Sequence, residues 1–393
     1  MTLERLSKNV MVLGLAATAV LLGGWWGKKE KPLLPANAFL AAYSTDATKD
    51  APVMKEFGRV FDAKSVILSE LMKEFNPGSV GKIGADPLET YFAIDRHAIE
   101  WSLFAMGELT RSAQMKDTVA PDMTWALCGP FNQEKTIAAL TKRLQADYPG
   151  VKLEFSTLNG TSVWTVRVEA INKVQGLSPC IAFSGKRLML VASNEKALRN
   201  LLDLYAGKIA GMPKDSSLAR LLEPRQNIIS RLMLVNIGGL INKLSTESER
   251  AAMLKDPKIK AVVSSLRDLT IETRLVPGRD AAELVIRMDC ADEGNAQTLN
   301  ELCITAKTSA SFLLSMSVQQ RPELKTVLDW LSKTRCNVEG KQTTLSLQCS
   351  PQDMQNVDMR KIFGRQWKRS DNGEKNKEAN PQRVSSSTTG RSE

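Results

Sequence analysis

The dipeptide Asn159-Gly160 constrains this chain more tightly than any other local feature. A two-residue type I′ turn needs positive φ at both central positions, and Asn-Gly supplies that at the least steric cost. With the turn placed there, Phe155 lies opposite Trp164 and Leu153 opposite Val166. All four then share one face, so turn chemistry and hydrophobic alternation choose the same register. The segment is therefore an antiparallel hairpin with one apolar face.

The same grammar runs along the body. Ala38–Ser44, 99–106, 123–128, 180–192 (a hairpin around Ser184-Gly185-Lys186-Arg187), Ile228–Val235, 270–276, 282–289 and 310–316 read as strands. A hairpin over 335–349 turns near Gly340-Lys341. Helices are expected from Asp50-Ala51-Pro52 to about Phe75, and from Asn132 to Pro149-Gly150. Others follow from Ser193-Asn194 to Gly207 (Leu198, Leu201, Leu202 and Tyr205 inward), from Pro257, from about Asn295 (Leu299, Leu302 and Cys303 inward), and over 322–333. Strand, helix, then hairpin recurs in up to four units, near 38–106, 123–207, 228–306 and 310–357, without residue-level identity. The expected class is α+β: twisted, mostly antiparallel sheets with helices packed on one face.

The organisation expected is a signal-anchor and linker over 1–33, a first domain over 34–207, a turn-rich linker over 208–226, and a second domain over 227–364. The tail from 365 to 393 has no apolar period and is expected to be disordered.

Charge supports that division. The 393 residues carry a net +10, of which +3 falls in residues 1–31 and +3 in 365–393. A nucleic-acid binder shows a basic stripe on its folded body, so no nucleic-acid partner is expected.

Between Arg5/Lys8 and Lys28-Lys29-Glu30-Lys31 lies the uncharged run Val10 to Trp26, closed by Trp25 and Trp26. At 1.5 Å rise per residue this run is about 25 Å long, the lower edge for a membrane span. Paired tryptophans at its end suit the headgroup level. The expectation is a single N-terminal pass with the N-terminus inside and the body extracytoplasmic. The alternative is secretion after signal cleavage, at Ala17-Thr18-Ala19 or Ala36-Asn37-Ala38. The even set Cys128, Cys180, Cys290, Cys303, Cys336 and Cys349 permits three disulfides outside the cytoplasm, with pairing open. Several of these positions equally suit buried thiols.

The sole histidine, His97, removes multi-histidine zinc sites. GxxxxGK[ST], GxGxxG, GxSxG and CxxC are all missing, which argues against P-loop, Rossmann, hydrolase-elbow and thioredoxin chemistry. His97 beside Asp95 reads as a strand-end residue, since no nucleophile is placed near it. Asp86, Glu89, Asp95 and Glu100 lack calcium-loop spacing and read as a solvated face. Trp101, Trp125, Phe155 and Trp164 read as core, and Asn159-Gly160-Thr161 as a turn rather than a glycan acceptor. Lys368-Arg369 and the tail make at most a weak anionic-surface contact. No catalytic, metal or cofactor residue is assigned, and no cofactor is expected.

Leu34-Pro35-Ala36, the stretch 180–202 (CIAFSGKRLMLVASNEKALRNLL) and the stretch 290–302 (CADEGNAQTLNEL) resemble, in style, a loose group of uncharacterised bacterial membrane-anchored extracytoplasmic proteins. The resemblance spans most of 34–357 and implies no activity or site residues. The function expected is a non-catalytic binding or envelope-scaffold role. The alternatives are a carboxylate-dependent envelope hydrolase and a hydrophobic-ligand or lipid carrier.

Overall fold

The computed structural model describes residues 33–45, 56, 87–95, 98–111, 119–147, 150–167, 178–223, 227–237, 255 and 257–356. The Val10–Trp26 segment, the expected helix after Asp50 apart from Glu56, His97 and the tail lie outside them.

Among the described residues, twelve strands form one antiparallel sheet. In chain order they are β1 Ala38–Thr45, β2 Trp101–Arg111, β3 Val119–Cys128, β4 Lys152–Leu158, β5 Thr161–Arg167 and β6 Cys180–Ser184. Then come β7 Leu188–Ala192, β8 Ile228–Val235, β9 Leu266–Leu275, β10 Ala282–Cys290, β11 Arg335–Glu339 and β12 Gln342–Cys349. The spatial order is β11-β12-β10-β9-β8-β1-β2-β3-β7-β6-β5-β4. β1 and β8 meet at the centre, with Ala42 opposite Leu232, so both halves of the chain share this sheet. On either side of that pair the layout is alike: two further strands in sequence, then a strand that returns from a helix and a hairpin. The class is thus α+β.

The helices are α1 Pro87–Phe92, α2 Gln133–Asp147, α3 Glu195–Tyr205, α4 Pro257–Ser265, α5 Glu293–Val318, α6 Lys325–Lys333 and α7 Pro351–Gln355. They are not confined to one face. Leu127, Ile181, Phe183 and Met189 pack with Leu140 of α2 on one side. Leu103, Ala126, Ala182 and Leu190 pack on the other with Leu198, Leu201 and Leu202 of α3, and with Leu218 and Leu221 of a 3₁₀ turn. The reason is visible in β6 and β7. CIAFS and LMLVA are apolar at consecutive rather than alternate positions, which is the mark of a strand buried on both faces.

The Asn159-Gly160 turn forms as expected, with φ of 52° and 78°, and Phe155 pairs Trp164 while Leu153 pairs Val166. Asn194 caps α3 by accepting from the Ala197 N–H at 2.8 Å, and Gly207 follows with φ of 72°. Three expectations need correction. Tyr205 and Phe155 are exposed rather than inward. The helix after β10 starts at Glu293 under an Asp292 cap, not at Asn295. The expected strand 310–316 is the second half of α5. Once that helix is nucleated by its cap, Ala310, Leu313, Leu314 and Met316 propagate it at low cost.

A buried charge cluster ties β8, β9 and β10 together and reaches the linker before β8. Glu272 of β9 is 2% exposed and sits between Arg231 of β8 (Nε to Oε1, 3.3 Å) and Arg287 of β10 (Nη1 to Oε2, 2.5 Å). Arg231 Nη1 also donates to the carbonyls of Arg220, Leu221 and Glu223, at 3.1 to 3.2 Å. The guanidinium therefore clamps the end of the 3₁₀ turn onto the sheet.

Candidate functional site

The residues weighed from sequence do not converge. Trp101 is buried on the α3 side of the sheet. Trp125 and Trp164 pack on the α2 side, so the three tryptophans line no shared groove. Phe155 stacks at 5.5 Å on Trp164 from the solvent side. Glu100 pairs with Arg187 and accepts from the Cys128 thiol, while Glu89 is exposed on α1. No group of three His, Cys, Asp or Glu side chains that would hold a metal occurs among the described residues.

All six cysteines are free thiols, three of them fully buried. Burial pushes Cys180, Cys290, Cys303 and Cys349 above the usual thiol range. A raised thiol is a poor nucleophile, because the thiolate is the reactive form.

Two clefts carry polar groups. The smaller, about 420 Å³, lies at the start of α3 and is internally neutralised. Lys196 faces Asp122 at 3.9 Å, Arg167 binds Glu154 at 2.9 Å, and Glu195 binds Arg199 at 3.0 Å.

The larger, about 780 Å³, opens at the outer end of the sheet. It lies between the β9–β10 turn, β11, β12, the middle of α5 and the junction of α6 with β11. Its cations are Arg279, Lys307, Lys333 and Arg335; its carboxylates are Glu283 and Asp353.

Both carboxylates are already engaged. Glu283 accepts from Arg274 on the paired strand β9, at 2.8 and 2.7 Å. Asp353 closes a capping box on α7: its carboxylate accepts from the Ser350 N–H at 2.9 Å, and Ser350 Oγ accepts from the Asp353 N–H at 3.1 Å. Lys333 adds an ion pair at 2.9 Å. The Ser350 N–H first, and then Lys333, hold the Asp353 carboxyl below its ordinary 3.8, while Asp353 raises Lys333. A general acid at neutral pH needs the opposite shift.

The cations divide differently. Lys307 donates to the carbonyls of Ser332 (3.4 Å) and Thr334 (2.5 Å) at the C-terminus of α6, where the helix dipole favours a positive charge. Arg279 and Arg335 are exposed and have no ion-pair partner among the described residues. The arrangement offers two uncommitted guanidinium forks, with Lys307 beside them, to an incoming anion. No sequence motif marks it, because the positions come from five separate segments. The nearest local signal is the uncharged stretch from Thr308 to Gln320 inside a capped helix.

No family model matches the chain, and no curated protein matches it. The solved structure of crystal form I of TP0453 is similar at a TM-score of 0.36 and 10% identity, over 84% of this chain and 97% of that one. Likeness at that level carries no assignment, so the site stands on its own geometry.

Proposed function

We propose that this chain is a membrane-anchored extracytoplasmic protein that binds rather than catalyses, and that the 780 Å³ cleft is its recognition site for an anionic ligand. One observation carries the reading. In that cleft both carboxylates are tied to cations or caps, whereas Arg279 and Arg335 have no ion-pair partner among the described residues. That is the charge pattern of anion capture, not of an acid–base pair poised for hydrolysis.

The anchoring part rests on Val10–Trp26 and its flanking cations. The recurring strand–helix–hairpin units belong to the same proposal: the like layouts on either side of β1–β8 support a sheet built by repeating one plan. Among the described residues no helix is long and apolar enough to cross a membrane.

The test is protease accessibility of a C-terminal epitope tag on intact spheroplasts, with fractionation alongside. Digestion of the tag with the protein retained in the membrane fraction is expected. Protection until lysis would overturn export, and release into the soluble fraction would overturn anchoring.

A further inference from the structure

From the cleft and the helix that leaves it, we infer that the protein docks on an anionic lipid surface, with a phosphate headgroup in the cleft and apolar side chains of α5 in the bilayer interface. This rests on the proposed anchored, anion-binding reading and names the ligand class.

Three observations meet here. The first is continuity. Ile304 and Thr308 line the cleft, and at four-residue spacing the same ridge of α5 continues through Phe312 to Met316. Phe312, Leu313 and Met316 are 62%, 63% and 61% exposed, and Ile304 is 45% exposed. These are the large apolar side chains that a soluble surface rarely clusters on one helix face.

The second is the polarity around them. From Thr308 to Gln320 there is no charged residue. The hydroxyls of Thr308, Ser315 and Ser317 donate to the carbonyls of Ile304, Phe312 and Leu313, at 2.7 to 2.9 Å. Hydroxyls satisfied within the helix lose little on leaving water, so the ridge enters an interface without stranding donors.

The third is charge and reach. Arg279 and Arg335 stand at the cleft end of the ridge, where an acidic headgroup would sit once Phe312 and Met316 were immersed. Leu33 and Leu34 are already in the core, so residues 27–32 are the whole tether behind the expected span. Six residues reach about 20 Å at most. Such a tether would hold the body close to the bilayer. An anionic bilayer satisfies guanidinium and apolar ridge together.

The test uses the full chain reconstituted through its N-terminal segment into phosphatidylcholine vesicles, with phosphatidylglycerol titrated in. The readout is hydrogen–deuterium exchange of residues 304–318, which reports this face rather than the anchor. Protection that grows with phosphatidylglycerol is expected. In R279A/R335A the phosphatidylglycerol needed for half-protection should rise roughly thirtyfold, from two basic contacts at the surface. F312S/L313S replaces exposed side chains, so it folds, and it should lose the protection outright.

Equal protection in pure phosphatidylcholine, or protection by inorganic phosphate that lipid does not increase, would overturn the inference; the second result would leave the anion cleft standing. Protection that rises with protein density in phosphatidylcholine alone would assign the ridge to a second copy and overturn it as well. Spheroplast accessibility of R279A/R335A should match that of the parent. A change there would count against the anchoring proposal, not against lipid capture.

Discussion

Replacing Glu272 by Gln removes the charge that two guanidiniums share and leaves the shape intact. Arg231 is 4% exposed, so in the variant its charge stays buried and loses the Glu272 carboxylate. Breaking a buried pair from one side costs about 3–5 kcal/mol. Arg287 is 21% exposed and recovers part of its loss from water, which places the cost near the lower end, at about 3 kcal/mol. The Arg231 contacts to the carbonyls of Arg220, Leu221 and Glu223 persist, and they hold the guanidinium where the charge is missed. With a urea dependence of about 3 kcal/mol per M, the midpoint should fall by roughly 1 M. The paired change R231M/E272L should cost less than the sum of the singles, because it removes both charges and keeps apolar volume. Urea unfolding followed by far-UV circular dichroism, with limited proteolysis of 208–226, provides the assay. A midpoint for E272Q within about 0.2 M of the parent, or strict additivity in the cycle, would refute the view that this cluster fastens β8 to β10 and the 3₁₀ turn together.

Four further outcomes follow from the packing. Asp353 has a carboxyl lowered by its cap and by Lys333, so its contribution is full above about pH 4 and is lost as pH falls through the lower folded value. The stability gap between the parent and D353A, measured by urea unfolding at several pH values, should therefore close in acid. Gly129→Ala puts a Cβ 2.7 Å from the Ala98 carbonyl oxygen, and backbone on both sides has little room to yield, so a loss of about 1–3 kcal/mol is expected in thermal or urea unfolding. Leu198→Ala should cost about 2–5 kcal/mol, because Leu198 is fully buried under the sheet. Phe155→Ser, at a site 63% exposed, should cost well under 1 kcal/mol in the same assay.

Local signals were legible where a short segment decides its own conformation. Asn159-Gly160 and the flanking alternation carry their hairpin without help, and Asn194 with Gly207 brackets α3. Ile228–Val235 is a strand to the residue. The failures share one cause, which is that distant chain decides them. Ser309–Val318 suits helix or strand, and the Asp292 cap seventeen residues before Ser309 tips it to helix. Tyr205 has the right spacing to face inward, but it is the last residue of α3 and is exposed. The β1–β8 pairing leaves no local mark, because either strand alone reads the same as its neighbours. The cleft was invisible for the same reason. Arg279, Lys307, Arg335 and Asp353 mean little in their own segments and become a site only when the β9–β10 turn, α5, β11 and α7 meet.

The central place of β1 has a mechanical consequence. Its ladders to β2 and β8 run along both sides, with bonds perpendicular to the strand. A tether on the N-terminal side of Ala38 pulls along that strand. It must shear both ladders at once, whereas a tether on an edge strand such as β4 or β11 would load a single ladder. If the proposed anchor holds, a body hung from its middle strand would meet drag and thermal tugging with two ladders loaded together. Held that way, it would sooner let its outer strands fray than give up the attachment.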